Sequence, residues 1–235
     1  MLIDLHTHTR PGSADSFLDP DDLVERSKAA GLDAIVLSEH DATWSRDALA
    51  ALGQRHNFLV LPGLEVSTNH GHILVYGLDV YEESMRDPEI LAAHVARAEG
   101  AMVGAHPYRL HAPINERDPE ERERALIAAM ANPAYQLSHA IEVLNGHGRP
   151  VQNEFSEQLA ARLGRPGTGG TDSHEFFDIG KAATYFERDI RDERDLIREI
   201  LAGRCWAVDL TSGSLTEDVR RHGVPADLAS RFSPG

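Results

Sequence analysis

Cysteine is almost absent. Cys205 is the only one in 235 residues, which excludes an intramolecular disulfide and the cysteine-rich zinc sites of fingers and ribbons; it reads as a packing residue. Long hydrophobic runs are missing too. Apolar stretches such as "AIVL" and "HILVYG" last only a handful of residues, far below the roughly 18 needed for a membrane span, so neither a spanning helix nor a membrane partner is expected. The opening "MLIDLHTH" has no basic n-region and no apolar h-region of a signal peptide, and a cytoplasmic location is expected. Positive charge is scarce: 23 Lys and Arg face 38 Asp and Glu, a formal net charge of -15. That balance repels a phosphate backbone and argues against broad binding to long nucleic acid, while leaving room for a local site that holds a small anion. Lysine is the scarcest cation, with only Lys28 and Lys181.

What the chain has is alternation. Strand-length apolar runs, "MLIDLHT", "DAIVLS", "FLVLPGLEV", "HILVYGL", "AMVGAH", "AIEVLN", "GTGGTDS" and "CWAVDL", are separated mostly by amphipathic stretches of helix length. "DPDDLVERSKAAG" places Asp19 as N-cap, Pro20 at the first helical position and Gly31 at the stop, the expected punctuation of a helix. "SRDALAALGQRH", "DPEILAAHVARAEG", "DPEERERALIAAMAN", "NEFSEQLAARLG" and "RDERDLIREILAGR" read the same way. Repeated strand-helix units predict an α/β fold with a parallel sheet covered by helices, and this many units predict a closed or nearly closed barrel. The sequence reads as one domain, 1–235, with 109–124 a charged, lid-like loop feeding a helix and 224–235 a loose tail.

The polar residues that follow the apolar runs carry the chemistry. In "DLHTH", strand alternation puts His6 and His8 on one face. Parallel α/β folds place their sites at the carboxyl ends of strands, and there the sequence offers His6 and His8, then Glu39, His40 and Asp41, then Glu65, then His106, then Asp172, Ser173 and His174; His70 and His72 lie beside the fourth run. Asp172 and His174 repeat the spacing of His6 and His8. Imidazoles and carboxylates without cysteine are a ligand set for zinc, manganese or iron. Asp4, one step deeper on the face of His6, suits a supporting role as acceptor of a ligand histidine's ring N–H. His72 is preferred to His70 because it abuts "ILVYG". His56, His94 and His222 read as helix-surface residues, and His111, His139 and His147 as loop residues.

Taken in order, "DLHTH", "SEHD", "GLEVST", "HILVYG", "AHP" and "GGTDSH" resemble the motifs of the PHP (polymerase and histidinol phosphatase) family, in its short stand-alone phosphoesterase branch. The resemblance implies a distorted (β/α)7 TIM-like barrel and two or three divalent ions. One ion would be held by His6, His8, Glu65 and Asp172; a second by the bridging Glu65 with His72 and His106; a third by Asp15, His40 and His174. Three divalent ions, less the charge of Asp15, Glu65 and Asp172 and of a bridging hydroxide, leave about +2, which a phosphate monoester dianion balances. The implied reaction is in-line attack by the hydroxide on a small phosphate ester: a phosphomonoester, a nucleotide or a short oligonucleotide. Arg109 is the candidate for a further phosphate contact, and Asp41, His147 or a water for protonating the leaving group. The alternatives are an amidohydrolase acting on a C–N bond, for which neither Lys28 nor Lys181 is well placed as a carboxylated bridge, and a noncatalytic domain that binds metal or nucleotide.

Overall fold

The computed structural model describes residues 1–113 and 115–211; the tail expected at 224–235, and His222, lie outside them. Ten strands alternate with eight helices among the described residues. The first sheet has the order β10-β9-β1-β2-β3, built from β1 (Leu2–Thr7), β2 (Ala34–Leu37), β3 (Leu59–Pro62), β9 (Ala182–Tyr185) and β10 (Trp206–Asp209). The second has the order β4-β5-β6-β7-β8, from β4 (Leu64–Thr68), β5 (Gly71–Tyr76), β6 (Ala101–Gly104), β7 (Ala140–Asn145) and β8 (Gly167–Gly170). The α/β class is as expected, but the strands form two five-stranded sheets rather than one closed barrel.

The sheets are also not purely parallel. β1, β2 and β3 run parallel, as do β6, β7 and β8, but β5 is antiparallel to both neighbours and β9 is antiparallel to β1 and β10. The cause is local. β4 turns directly into β5 through Asn69 and His70, with Gly71 at φ 106°, a backbone region that glycine enters without a Cβ clash. A hairpin therefore stands where a further parallel strand was expected. "FLVLPGLEV" likewise splits: Gly63 separates β3 from β4, and a Cβ there would meet Val36 Cγ1 at 2.5 Å. β9 was not expected, because four residues of "AATY" carry little periodicity.

At one end the two sheets touch through isolated bridges, Thr7 with Ser173 and His40 with Glu65. The Asp172 N–H donates to the His6 carbonyl at 2.7 Å, His8 N–H to Ser173 O at 3.1 Å, Asp41 N–H to Glu65 O at 2.9 Å and Glu65 N–H to Glu39 O at 3.0 Å. These bonds set the candidate ligands against one another across the seam. Beneath them, Ile3 and Leu5 of β1 pack with Val36, Leu74, Tyr76 and Val103, and Leu196, Ile197 and Ile200 of α8 (Glu193–Leu201) join the same cluster. Cys205 lies buried in it, as a packing residue should.

The helices follow their caps. α1 (Pro20–Ala29) starts at Asp19, whose side chain accepts from Asp21 N–H at 2.9 Å, with Pro20 at the first position. α2 (Arg46–His56) starts at Ser45 and ends at Asn57 in the left-handed region, and α3 spans Pro88–Arg97. The stretch 109–124 is less loop-like than expected: α4 (Tyr108–His111) and α5 (Pro119–Met130) take up much of it, with Asp118 capping α5. α6 spans Pro133–Leu137. α7 (Pro150–Leu163) begins three residues before the apolar pattern does, because Pro150 is suited to a first turn. No helix among the described residues is long and apolar enough to cross a membrane.

Candidate metal centre

β1 delivers the first two imidazoles. His6 and His8 are fully buried, their ring centroids 5.0 Å apart. His6 Nε2 lies 3.2 Å from Glu65 Oε2 and 3.4 Å from Asp172 Oδ1; His8 Nε2 lies 3.2 Å and 3.3 Å from the same two oxygens. All four atoms are buried, and none has a hydrogen-bond partner among the described residues. Buried polar atoms are nearly always paired, so four unpartnered atoms converging on one point fit a cation-binding site. The spacing fits: ligands about 2.1 Å from a tetrahedral ion stand roughly 3.4 Å apart. The donor set, two imidazoles and two carboxylates, suits zinc, manganese or iron.

Glu65, on β4, is the hub. Its Oε1 is 2.8 Å from His72 Nδ1 and 3.0 Å from His106 Nε2, and its Oε2 is 3.0 Å from His40 Nδ1. The hairpin explains the first contact: Ser67 pairs with His72 across β4 and β5, and Glu65 lies two residues along on the face of Ser67, the diagonal neighbour. His70 instead lends its carbonyl to Asn132 Nδ2, so the geometry favours His72 over His70. His106 follows β6 at φ 28° and Asp172 follows β8 at φ 55°; non-glycine residues in that region cost on the order of 1–3 kcal/mol, and such strain collects at functional sites. Toward the mouth, His8, His40 and His174 bring ring nitrogens within 4.8 Å of one another, and His40, Glu65 and His72 form a second such group. Asp15 reaches the first group from an exposed loop, its Oδ2 3.3 Å from His40 Nε2 and 3.4 Å from His174 Nε2.

The charges compensate internally. Burial works to lower the His6 pKa, but Asp172, Glu142 and Glu65 outweigh it and hold the imidazole well above its usual value. Burial would raise Glu65 and Asp172, yet His6 and the neighbouring imidazoles hold both carboxyls well below the usual range, with Arg109 adding to Asp172. His106 is lowered, chiefly by burial.

Arg109 donates through Nη2 to Asp172 Oδ2 and lies 3.4 Å from Asn145 Oδ1, with its side chain 48% exposed. Asp41 does not enter any of the ligand groups; its Oδ1 accepts the Ser67 N–H at 2.9 Å. His147 pairs through Nε2 with Asp178 at 3.1 Å. Lys28 Nζ bonds the His56 carbonyl and Lys181 Nζ bonds Asp178, so each amine is engaged elsewhere.

Two supporting assignments change. Asp4 does not receive a ring N–H. It accepts the His6 backbone N–H at 3.1 Å and both the N–H and the hydroxyl of Thr171, and burial pushes its carboxyl up to about 7 against those bonds. The ring N–H acceptor is Glu142, which the sequence reading passed over: its Oε1 lies 2.9 Å from His6 Nδ1, and its Oε2 accepts from His106 N–H at 2.9 Å and Asn145 Nδ2 at 3.0 Å. One signal was present. A glutamate inside "AIEVLN", an otherwise buried run, must find partners or go uncompensated.

Comparison with known proteins adds three findings. A family model described as PHP_C, PHP-associated, matches residues 150–205, a span that includes Asp172 and His174. The 3',5'-nucleoside bisphosphate phosphatase of Chromobacterium violaceum is 33% identical over 87 residues, 35% of this chain and 30% of that protein; the chain matches under a third of that relative's length. Among solved structures, an amidohydrolase from Chromobacterium violaceum with bound sulfate and no metal aligns at TM-score 0.58 and 20% identity, covering 89% of this chain and 98% of that one. A candidate metal-dependent phosphoesterase from Bifidobacterium adolescentis aligns at TM-score 0.53 and 19% identity, covering 86% and 96%. At these identities the two structures share the fold.

Proposed function

We propose that this chain belongs to the PHP family and is a hydrolase that cleaves a small phosphate ester with the help of two or three divalent metal ions. The observation that carries the reading is the convergence of four buried, unpartnered atoms, His6 Nε2, His8 Nε2, Glu65 Oε2 and Asp172 Oδ1. In this reading those four residues hold one ion, Glu65 with His72 and His106 a second, and Asp15, His40 and His174 a third. Zinc, manganese or iron bound there supplies Lewis acidity toward phosphate oxygens and activates water as a nucleophile. The bridges Thr7–Ser173 and His40–Glu65 support reading the two sheets as the wall of one distorted (β/α)7 barrel, and the chain as a single domain.

The chain's own residues do the rest. Arg109, anchored on Asp172 and half exposed, presents its guanidinium for a phosphate oxygen beside the buried cluster. His40, His174 and Asp15 line the open side, where a substrate enters. Asp41, which accepts the Ser67 N–H through one carboxylate oxygen, His147, which pairs with Asp178, and water in the site are the candidates for proton delivery to the leaving oxygen. The substrate is a small phosphorylated molecule; the relative named a nucleoside bisphosphate phosphatase and the local, cation-dependent anion site favour a nucleotide over a long polynucleotide.

The test is hydrolysis of a panel of phosphate mono- and diesters by metal-stripped protein reloaded with manganese, with metal content measured in the same samples. Phosphate release that rises with two or three ions per chain is the expected result. Full loading without release from any ester would turn the reading to C–N hydrolysis or to a binding role.

A further inference from the structure

Next to the metal cluster lies a buried carboxylate that touches none of the ion-facing atoms. Glu39 is fully buried after β2. It accepts the Thr9 N–H at 3.0 Å, the Thr9 hydroxyl, the Trp44 indole N–H at 2.8 Å and the Ser13 hydroxyl at 2.6 Å. The loop wraps onto it so closely that a Cβ on Gly12 would stand 2.4 Å from Glu39 Cδ.

Ser13 is 1% exposed and connects this carboxylate to the cluster. Its Oγ lies 3.2 Å from His8 Nδ1 and accepts the His40 backbone N–H at 3.1 Å. A hydroxyl has one hydrogen, and an ionised carboxylate can only accept. At 2.6 Å the serine hydrogen is committed to Glu39. Ser13 Oγ is left with lone pairs, so a hydrogen bond to His8 requires the hydrogen on Nδ1. That places the bare lone pair on His8 Nε2, the atom 3.2 Å from Glu65 Oε2 and 3.3 Å from Asp172 Oδ1.

We propose that Glu39, acting through the hydroxyl of Ser13, locks His8 in the tautomer that leaves Nε2 free for metal and ties the His40 backbone to the same oxygen, so that both are positioning residues of the metal centre. The proposal rests on the metal-binding reading above. It treats the serine as a directional relay: Thr9 and Trp44 already secure the loop to Glu39, whereas Ser13 alone hands the carboxylate's demand for a proton on to a ligand.

The probe is zinc alone, titrated by calorimetry and by chelator competition against wild type, Ser13→Ala, Ser13→Thr and Glu39→Gln. Loss of an outer partner of a ligand histidine lowers metal affinity by about 10–100-fold, and that loss is expected for Ser13→Ala and Glu39→Gln, with Ser13→Thr, which keeps the hydroxyl, within a few-fold of wild type. In the zinc-loaded wild type, nitrogen-edited NMR of the histidine rings should show His8, assigned by its disappearance in His8→Gln, with a slowly exchanging Nδ1–H. If Ser13→Ala fails to fold, that spectrum decides alone. A Ser13→Ala protein that binds zinc as tightly as wild type, or a wild-type His8 without a protected Nδ1–H, overturns the relay while leaving the metal centre standing. A wild type that binds no zinc removes the metal reading as well.

Discussion

Replacing Glu142 with Gln changes one atom pair and should be felt throughout the centre. The carboxylate receives three donors, His6 Nδ1 at 2.9 Å on Oε1, and His106 N–H at 2.9 Å and Asn145 Nδ2 at 3.0 Å on Oε2. A glutamine of the same shape has one oxygen and one NH2. With the oxygen toward His6, the NH2 confronts two donors; turned round, it confronts the ring N–H. Each arrangement leaves a buried donor unsatisfied, at about 1–3 kcal/mol. His6 can escape by moving its hydrogen to Nε2, but that is the atom facing Glu65 and Asp172, and the lone pair for metal is then lost. The expected loss of metal affinity is about 10–100-fold, the usual effect of removing such a partner, or roughly 1.4–2.7 kcal/mol. By linkage the same amount disappears from the stabilisation that saturating metal confers. For a chain of this size about 2–4 °C accompanies each kcal/mol, so the zinc-induced rise in Tm should shrink by roughly 3–11 °C. Thermal melts of both proteins at matched free zinc, with and without chelator, measure it. An undiminished zinc-induced shift would refute the argument that Glu142 orients His6.

Three further substitutions probe the rest of the site. Glu65→Gln alters the carboxylate that faces five imidazoles and should strip most bound metal and nearly all turnover; elemental analysis showing normal content would end the bridging assignment. Arg109→Ala should raise KM for phosphate esters about 10–100-fold, the value of one lost charge-assisted hydrogen bond, with metal content close to wild type, and an unchanged KM would reduce Arg109 to a partner of Asp172. Gly170→Ala puts a Cβ 2.5 Å from His6 Cβ and 3.0 Å from both Glu142 Oε1 and His6 N, so it should cost about 1–3 kcal/mol of stability by overpacking. A Tm equal to that of wild type would show that β1 and β8 are not pressed together as described.

The candidate ligand residues were legible because their signal is local. His6 and His8 share a strand face two residues apart, and each polar cluster follows its own apolar run, so a rule about strand ends places them without knowledge of the partners. The helices were legible from their caps, Asp19 and Ser45 among them. What escaped depends on distance along the chain. Glu142 meets His6 across 136 residues, and within "AIEVLN" it is one charge in a buried strand. Asp4 and His6 share a strand, yet Asp4 answers to Thr171, 167 residues away. The reversal at β5 turns on the two residues between Thr68 and Gly71, too short for the crossover a parallel strand needs, and the pattern of alternating hydrophobicity is the same for a strand running either way.

Those long-range contacts also balance the charge of the candidate site. His6 and His8 come from the first sheet, and Glu65, His106, Glu142 and Asp172 from strands of the second sheet or the residues directly after them. Bringing three carboxylates so close would be costly if they met alone. They do not: the His6 ring sits between Glu65, Asp172 and Glu142, its pKa held well above the ordinary value, while Glu65 and Asp172 are held low. A metal held there would need the lone pair of His6 Nε2, so its binding would be linked to proton release. The same pairings that hold these carboxylates together would therefore set the terms on which the site accepts metal.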